Sequence, residues 1–435
     1  MYRRSLIPYS VLSDSWNAKN YVQSSDVSKL DSRMKDGNLL KPHVLLAATL
    51  RWPAPARLAM ALANVGCKVT AVCPGQHPLC MTTAVDLICP YYALAPLRSF
   101  RAAIHRARPD LIIPGDDLST FHLHELHKKH REEDDSDRWM CKLIERSLGA
   151  SNSFEIVHDR ASVIQLARQE GVRAPKSEVI HSVEDLRNWT SQAGFPTVLK
   201  ASGTTGGEGV RIVTTQEEAE RKLRTLQAPP LLARALKRTV VNRDLTLLRP
   251  SLMRKKPIVS AQEFINGPDG TSLIASWEGN VVAELHFEVL KRQYTGGPAT
   301  VLRSIENLEM RAAARKLASR LKLSGLYGFD FILETDSGKA HLLELNPRTT
   351  QVGHLNLGPG QDITPALVAA LTGTHHSNIS PSTNSKIIAL FPGEWMREPA
   401  SCYLQAGYHD VPWAEPELVR TFIGRFKRTN VRHSF

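Results

Sequence analysis

The sequence predicts a multidomain protein of mixed α/β and α+β class, and three stretches carry that prediction. HVLLAAT, PAPARLAMALANVG and KVTAVCP alternate strand, helix and strand between His43 and Pro74. VLKASGTTGGEGVRIV, residues 198–213, places Gly203, Gly206, Gly207 and Gly209 between two β-type runs. GFDFILETDSGKAHLLELN, residues 328–346, reads as two apolar strands around a polar turn. Alternation with short connections argues an open parallel sheet, whereas the two hairpins argue antiparallel sheets.

Residues 1–41 are polar and lack periodicity, and read as a poorly ordered extension. From Pro42, a buried strand is followed by a helix with apolar spacing at Ala56, Leu58, Met60, Leu62 and Val65, ending at Gly66. A helix over about 97–107 and the strand of PDLIIPGDD complete a small sheet, bounded at 42–135. HLHELHKKHREEDDSDRW then offers His122, His124, His127 and His130 at helical spacing. Its charge density favours a solvated helix and an acidic loop over a zinc site. Helices follow at about 159–170 and, from a Thr214 or Thr215 cap, at 216–226. Strands run over 256–265 and 272–288. Met310, Ala313, Ala314, Leu317 and Leu321 form one helix face before the second hairpin.

Composition sets outer bounds. The 435 residues carry a net charge of +12, concentrated in 237–256 and 420–432. Neither stretch interleaves aromatics as a base-stacking surface does, which disfavours nucleic acid. No apolar run approaches the ~20 residues of a membrane span, and no continuous apolar stretch follows the N-terminal arginines as in a secretory signal. Six cysteines without a CxxC pair fit free thiols in a reducing, cytoplasmic compartment.

The glycine-rich turn is the first chemical signal. It opens no helix, so neither a dinucleotide fingerprint nor a P-loop fits. A strand, a glycine flap and a returning strand can fold over phosphates, with backbone N–H groups from Gly203, Gly206, Gly207 and Gly209 approaching them. Lys200 would aim its ammonium at the same phosphates. The plainer alternative is a surface turn.

The second hairpin is the other signal. Strict alternation puts Leu342, Glu344 and Asn346 on one face, with Asp330 across the pair. Two carboxylates and an amide among apolar neighbours suit a hard cation, Mg²⁺ with Mn²⁺ as a substitute, completed by phosphate oxygens. Arg348 follows, suited to a transferring phosphoryl group. The alternative is a half-exposed hairpin whose acids face solvent.

These two motifs in this order resemble the ATP-grasp superfamily, in its carbamoyl-phosphate-synthase-like and carboxylate–amine ligase branches. The resemblance covers about Pro42 to Gly373. It implies a Rossmann-like pre-ATP-grasp domain at 42–135 and a two-lobed ATP-grasp fold at 136–375. The flap lobe would take 136–265 and the metal-binding lobe 266–375. It leaves 376–435 as a C-terminal appendage and 237–256 without a counterpart. By position it implies Arg160 and Lys200 on the phosphates, Glu263 and Ile265 at the adenine edge, and Asp269 on the ribose. Asp330, Glu344 and Asn346 would be metal ligands, and Arg348 the phosphoryl-stabilising arginine.

The implied activity is an ATP- and Mg²⁺-dependent ligation: a carboxylate becomes an acyl phosphate, which an amine or similar nucleophile attacks. Both substrates would be small molecules, with no membrane partner and a homodimer compatible. The acceptor is expected between the hairpin, Gln351, His354 and Asn356, and Asp116–Asp117 of the first domain. A non-catalytic ATP- or ADP-binding regulatory module is the alternative.

Overall fold

The computed structural model describes residues 34–35, 38–39, 41–131, 137–201, 209–228, 257–374 and 381–431. Contacts divide the chain into two units, 1–41 and 42–435. In the first, β1 (Met34–Lys35) pairs antiparallel with β2 (Asn38–Leu39). The basic 237–256 segment, Gly203, Gly206 and Gly207 lie outside the described residues.

The second unit opens with β3 (His43–Ala47), α1 (Ala54–Asn64), β4 (Lys68–Cys73), β5 (Leu87–Pro90), α2 (Pro96–Ala107) and β6 (Leu111–Pro114). The strands are parallel in the order β5-β4-β3-β6. Apolar runs such as Val44–Ala48 and Leu111–Ile113 are buried on both faces, as a covered parallel sheet requires. The chain steps outward from β3 to β4 and β5, then returns to β3's other side. The loops after β3 and β6 therefore flank a topological switch point, where open sheets collect ligands. Then follow α3 (Asp117–His130), α4 (Arg138–Leu148), α5 (Phe154–His158) and α6 (Arg160–Gln169).

The histidines of α3 are not a solvated face. His124 and His127 are buried. The His124 ring stacks on Phe154 at 3.7 Å and 7°, and His127 Nε2 lies 2.9 Å from Glu145 Oε1. Burial pushes His124 down to about 2 and His122 down to about 4, so both rings stay neutral. The helix uses imidazoles as packing groups against α4 and α5. Among the described residues no three His, Cys, Asp or Glu side chains cluster as metal ligands.

A second sheet has the order β7-β10-β8-β9, from Ser177–Ile180, Val259–Glu263, Thr197–Ala201 and Val210–Val213. α7 (Val183–Ala193) and α8 (Gln216–Leu226) cover one face through Leu186, Trp189, Ala219 and Leu223. Thr215 caps α8 by accepting from the Glu218 N–H, at 3.2 Å.

The third sheet has seven strands. Five are β11 (Asp269–Trp277), β12 (Asn280–Arg292), β13 (Ala299–Ser304), β14 (Gly325–Leu333) and β15 (Ala340–Asn346). α9 (Leu308–Leu321) packs Met310, Ala313, Ala314, Leu317 and Leu321 onto one face, as the periodicity predicts. α10 (Ile363–Thr372) joins the other face to the core of the parallel sheet through Ile363, Leu367, Val368 and Leu371.

The C-terminal segment extends this sheet instead of forming an appendage. β16 (Ile387–Leu390) pairs with β13, and β17 (Tyr408–Asp410) pairs with β16. Phe391, Val411, Leu418, Val419 and Phe422 pack around Ala56 of α1. The sequence shows no period here because the strands are only four and three residues long.

Candidate functional site

Lys200 stands on the face of its sheet that α7 and α8 leave open. Leu199 and Ala201 point into the core, so alternation turns Val198 and Lys200 the other way. Its strand neighbours are Ser260 and Val210. Val179 and Ile212, exposed on the same face, give it apolar surroundings. Burial, then Arg160, pushes the Lys200 ammonium down to about 7, against the pull of Asp269 and Asp330. Gly209 anchors the end of the flap, its carbonyl accepting from the Ala201 N–H at 2.9 Å.

Arg160 enters from the start of α6. The Asp159 carboxylate caps that helix by accepting from the Ser162 N–H at 2.9 Å, which fixes the first turn. The guanidinium pairs with Glu344. Burial lowers its pKa, and Asp330 acts in the opposite sense.

The hairpin supplies the acids, with a correction to its register. Asp330 faces Glu344, but Phe331 faces Leu342, so Leu343 is an extra residue at a bulge. The bulge switches faces. Leu342 and Leu345 both enter the core, while Glu344 is half-buried beside Asp330. Strict alternation wrongly put Leu342 on the acidic face. Asp330 accepts from Thr271 Oγ1 at 2.9 Å and from Asn346 Nδ2 at 3.0 Å. Gly328, opposite Asn346, is a close approach: a Cβ there would lie 2.5 Å from Thr350 Cγ2.

Arg348 ties this lobe to the switch point. It donates to Asn346 Oδ1 at 3.2 Å, and its Nε lies 3.0 Å from Asp117 Oδ1. Its guanidinium carbon stands 5.5 Å from the Trp52 ring centroid. Trp52 lies in the loop after β3 and donates its indole N–H to Gly115 O, after β6, at 2.9 Å.

Three expectations around the acceptor are corrected. Asp116 is buried as the α3 cap, accepting from Thr49 N, Leu50 N and Ser119 N at 2.6, 3.0 and 2.8 Å. His354 turns inward to Asp410, at 2.7 Å. Asn356 is buried, its Oδ1 accepting from Gly358 N at 3.1 Å. Asp117 alone of the acidic pair faces Arg348.

At the hinge, the Glu263 N–H donates to Lys176 O at 2.9 Å, and its carboxylate accepts from Lys176 N at 3.2 Å. Ile265 follows, half-buried, in the connection to β11. Asp269 opens β11 and meets Arg292 Nε at 2.7 Å. Sequence reasoning missed Trp52, Thr271 and Arg292. The switch-point rule alone could have pointed to Trp52.

Arg160, Lys200, Asp269, Asp330, Glu344, Asn346 and Arg348 thus form one line of neighbours across two sheets. Residues 159–355 match the family described as carbamoyl-phosphate synthase L chain, ATP binding domain. The chain superposes on N5-carboxyaminoimidazole synthetase from Staphylococcus aureus, complexed with ADP. That match has a TM-score of 0.55 and 13% identity, over 78% of this chain and 80% of the other. L-amino acid ligase from Bacillus licheniformis superposes at 0.52 with 17% identity, over 78% of each chain. In sequence, the chain is 24% identical over 243 residues to the arginine-specific carbamoyl phosphate synthase large chain of Bacillus subtilis. That covers 55% of this chain and only 21% of the relative, about a fifth of its length. These likenesses show the fold. Among the described residues no helix is long and apolar enough to cross a membrane.

Proposed function

We propose that the protein is an ATP-dependent ligase that activates a small carboxylate as its acyl phosphate and passes the acyl group to an amine. The observation that carries the reading is the crowding of Lys200 and Arg160. Burial lowers both pKa values and Arg160 lowers that of Lys200 further, so a polyanion between the two cations would be favoured. A triphosphate supplies it, and backbone N–H groups of the glycines at 203, 206, 207 and 209 would meet its phosphates. The base would lie at the Glu263–Ile265 connection, against the apolar open face of the small sheet. Asp269 would take the ribose by exchanging its contact with Arg292.

Asp330, Glu344 and Asn346 form an oxygen-rich donor set that fits Mg²⁺ or Mn²⁺. Arg160, paired to Glu344, now supplies the positive charge there. The cation would neutralise phosphate charge when bound. The chain's own contribution is positioning and charge. Lys200 and Arg160 hold phosphate oxygens. Arg348, oriented by Asp117 and Trp52, stabilises the phosphoryl group as the carboxylate oxygen attacks. Flap closure would exclude water from the acyl phosphate.

The test is ADP release against pooled L-amino acids, with Glu344→Ala as control. Substrate-dependent ADP release by the native protein and its loss in the variant support the reading. ATP binding without turnover against any carboxylate would favour a regulatory module. The +12 charge makes one further check useful: polynucleotide affinity with a steep salt dependence would point to nucleic acid instead.

A further inference from the structure

We infer that His158 is the general base of the acyl-transfer step, taking the proton from an amine that binds as its ammonium ion against Asp117. The inference rests on the ligase reading and adds to it the residue that makes the nucleophile.

Asp117, Phe121 and His124 lie at i, i+4 and i+7 on α3, one face of the helix. His158, the last residue of α5, covers that face. Its ring centroid is 5.7 Å from Phe121 and 4.8 Å from His124. Its Nε2 stands 2.8 Å from His124 Nδ1. His124 is pinned by its stacking on Phe154, so the His158 ring is held at a fixed point instead of swinging on the surface. Two residues on, Arg160 reaches Glu344, and on the far side Asp117 meets Arg348. His158 therefore stands between the phosphate-binding arginine and the switch-point crevice. Asp117 is half-exposed there, with Oδ1 on Arg348 and Oδ2 left for a ligand among the described residues.

The chemistry follows from charge. Asp117 and the partly exposed ring of Phe121, whose π face attracts positive charge, suit a cation at this spot. An aliphatic amine is protonated at neutral pH and has no lone pair to attack with. A nearby base must remove one proton, and a neutral imidazole is suited to it. Packing of the His158 ring holds its pKa below the ordinary value, while Asp117 pulls upward and so favours the imidazolium once formed. In the tautomer in which His158 Nε2–H donates to His124 Nδ1, the His158 Nδ1 lone pair is free, and the same hydrogen bond serves the protonated ring. The balance is simple. The ammonium gives one proton to Nδ1. The amine lone pair forms the N–C bond at the acyl carbon. The bond from the acyl carbon to the bridging oxygen breaks, and its electron pair leaves on that oxygen with inorganic phosphate. The second amine proton passes to phosphate or water.

The test uses the full-length protein, Mg-ATP and the twenty L-amino acids, with hydroxylamine as a second nucleophile. Hydroxylamine is largely uncharged at neutral pH and needs no base. His158→Asn should lose about 10²-fold more rate with amines than with hydroxylamine, flatten the acidic limb of the amine pH profile, and be partly rescued by added imidazole. Equal losses with both nucleophiles, or an unchanged pH profile, overturn the assignment. No ADP and no hydroxamate from the native protein overturn the ligase reading, and this step with it. Independently of turnover, the His158 ring titration followed by NMR should move to lower pH in Asp117→Asn. An unmoved titration removes Asp117 from the site and overturns the pairing.

Discussion

Two charged constellations in this molecule are built alike and behave differently. In one, Arg57 of α1, His354 of the loop after β15 and Asp410 of β17 meet at a single buried carboxylate. In the other, Arg160 of α6, Lys200 of β8, Asp330 of β14, Glu344 of β15 and Arg348 just beyond its end meet. The first is closed. Burial alone would raise the Asp410 pKa, but His354 and Arg57 outweigh it and the carboxyl stays ionised. The second is open. Burial lowers the pKa values of both Lys200 and Arg160, and Arg160 lowers that of Lys200 further. A constellation that satisfies itself holds segments together, and one left with like charges side by side is arranged for a ligand.

The largest expected effect is on the closed side. Arg57→Met strands a carboxylate whose side chain is 2% exposed, which should cost about 3–5 kcal/mol of unfolding free energy. Urea denaturation measures it. A loss under 1 kcal/mol would mean that Asp410 finds water or another partner. On the open side, Lys200→Met should leave stability nearly unchanged or improved, because a crowded cation is gone. Carboxylate-dependent ADP release should fall about 10²–10³-fold, the size seen for a lost charge-stabilising donor. If stability fell and turnover held, the roles assigned to the two constellations would be reversed.

The open constellation was legible in sequence because its parts lie on regular strands. Period-two alternation puts Lys200 on one face of its sheet, and the Asp330–Glu344 pairing follows from hairpin geometry. The bulge at Leu343 was hidden, since an extra leucine in an apolar run does not disturb the pattern until the register is known. The closed constellation was not legible. Asp410 lies 353 residues from Arg57, on a strand too short to show a period. The same limit put His354 at the acceptor site and left the α3 histidines in solvent. A polar residue's direction depends on what packs over it, and Phe154 and Asp410 are contributed by distant segments. Asp116 misled differently: a buried cap and an exposed ligand have the same local sequence.

The open constellation should also titrate. With Lys200 at about 7, its ammonium loses its proton near neutrality in the ligand-free molecule. A triphosphate prefers the ammonium form. Nucleotide binding should therefore take up protons, and affinity should weaken as pH rises above 7, by at most about tenfold per unit. Calorimetry in two buffers of different ionisation heat measures the uptake, and Lys200→Met should abolish it. The stability of the ligand-free protein carries the same sign check. The folded pKa lies below the unfolded value of 10.5, so between about 7 and 10.5 the unfolded chain binds the extra proton and stability rises with pH. A flat profile in both measurements would mean that Lys200 is ordinary, and the case for an anion between Lys200 and Arg160 would lose its main support.

The smallest effect sharpens the line between the two constellations. His354 sits only six residues beyond Arg348, at sequence positions where a substrate contact is easy to imagine. Its ring is buried against Asp410, and burial lowers its pKa despite that carboxylate. It therefore contributes a neutral hydrogen bond, and Arg57 still neutralises Asp410 when it is gone. His354→Gln should cost about 1 kcal/mol, the net worth of one such bond, and change ADP release by less than about twofold. Asp117→Asn should cost little stability but lower turnover, since Arg348 loses the carboxylate that orients it. The two variants exchange places if the loop after β15 turns outward during catalysis. A His354→Gln protein that folds normally yet loses tenfold in turnover would move His354 from the closed constellation to the open one.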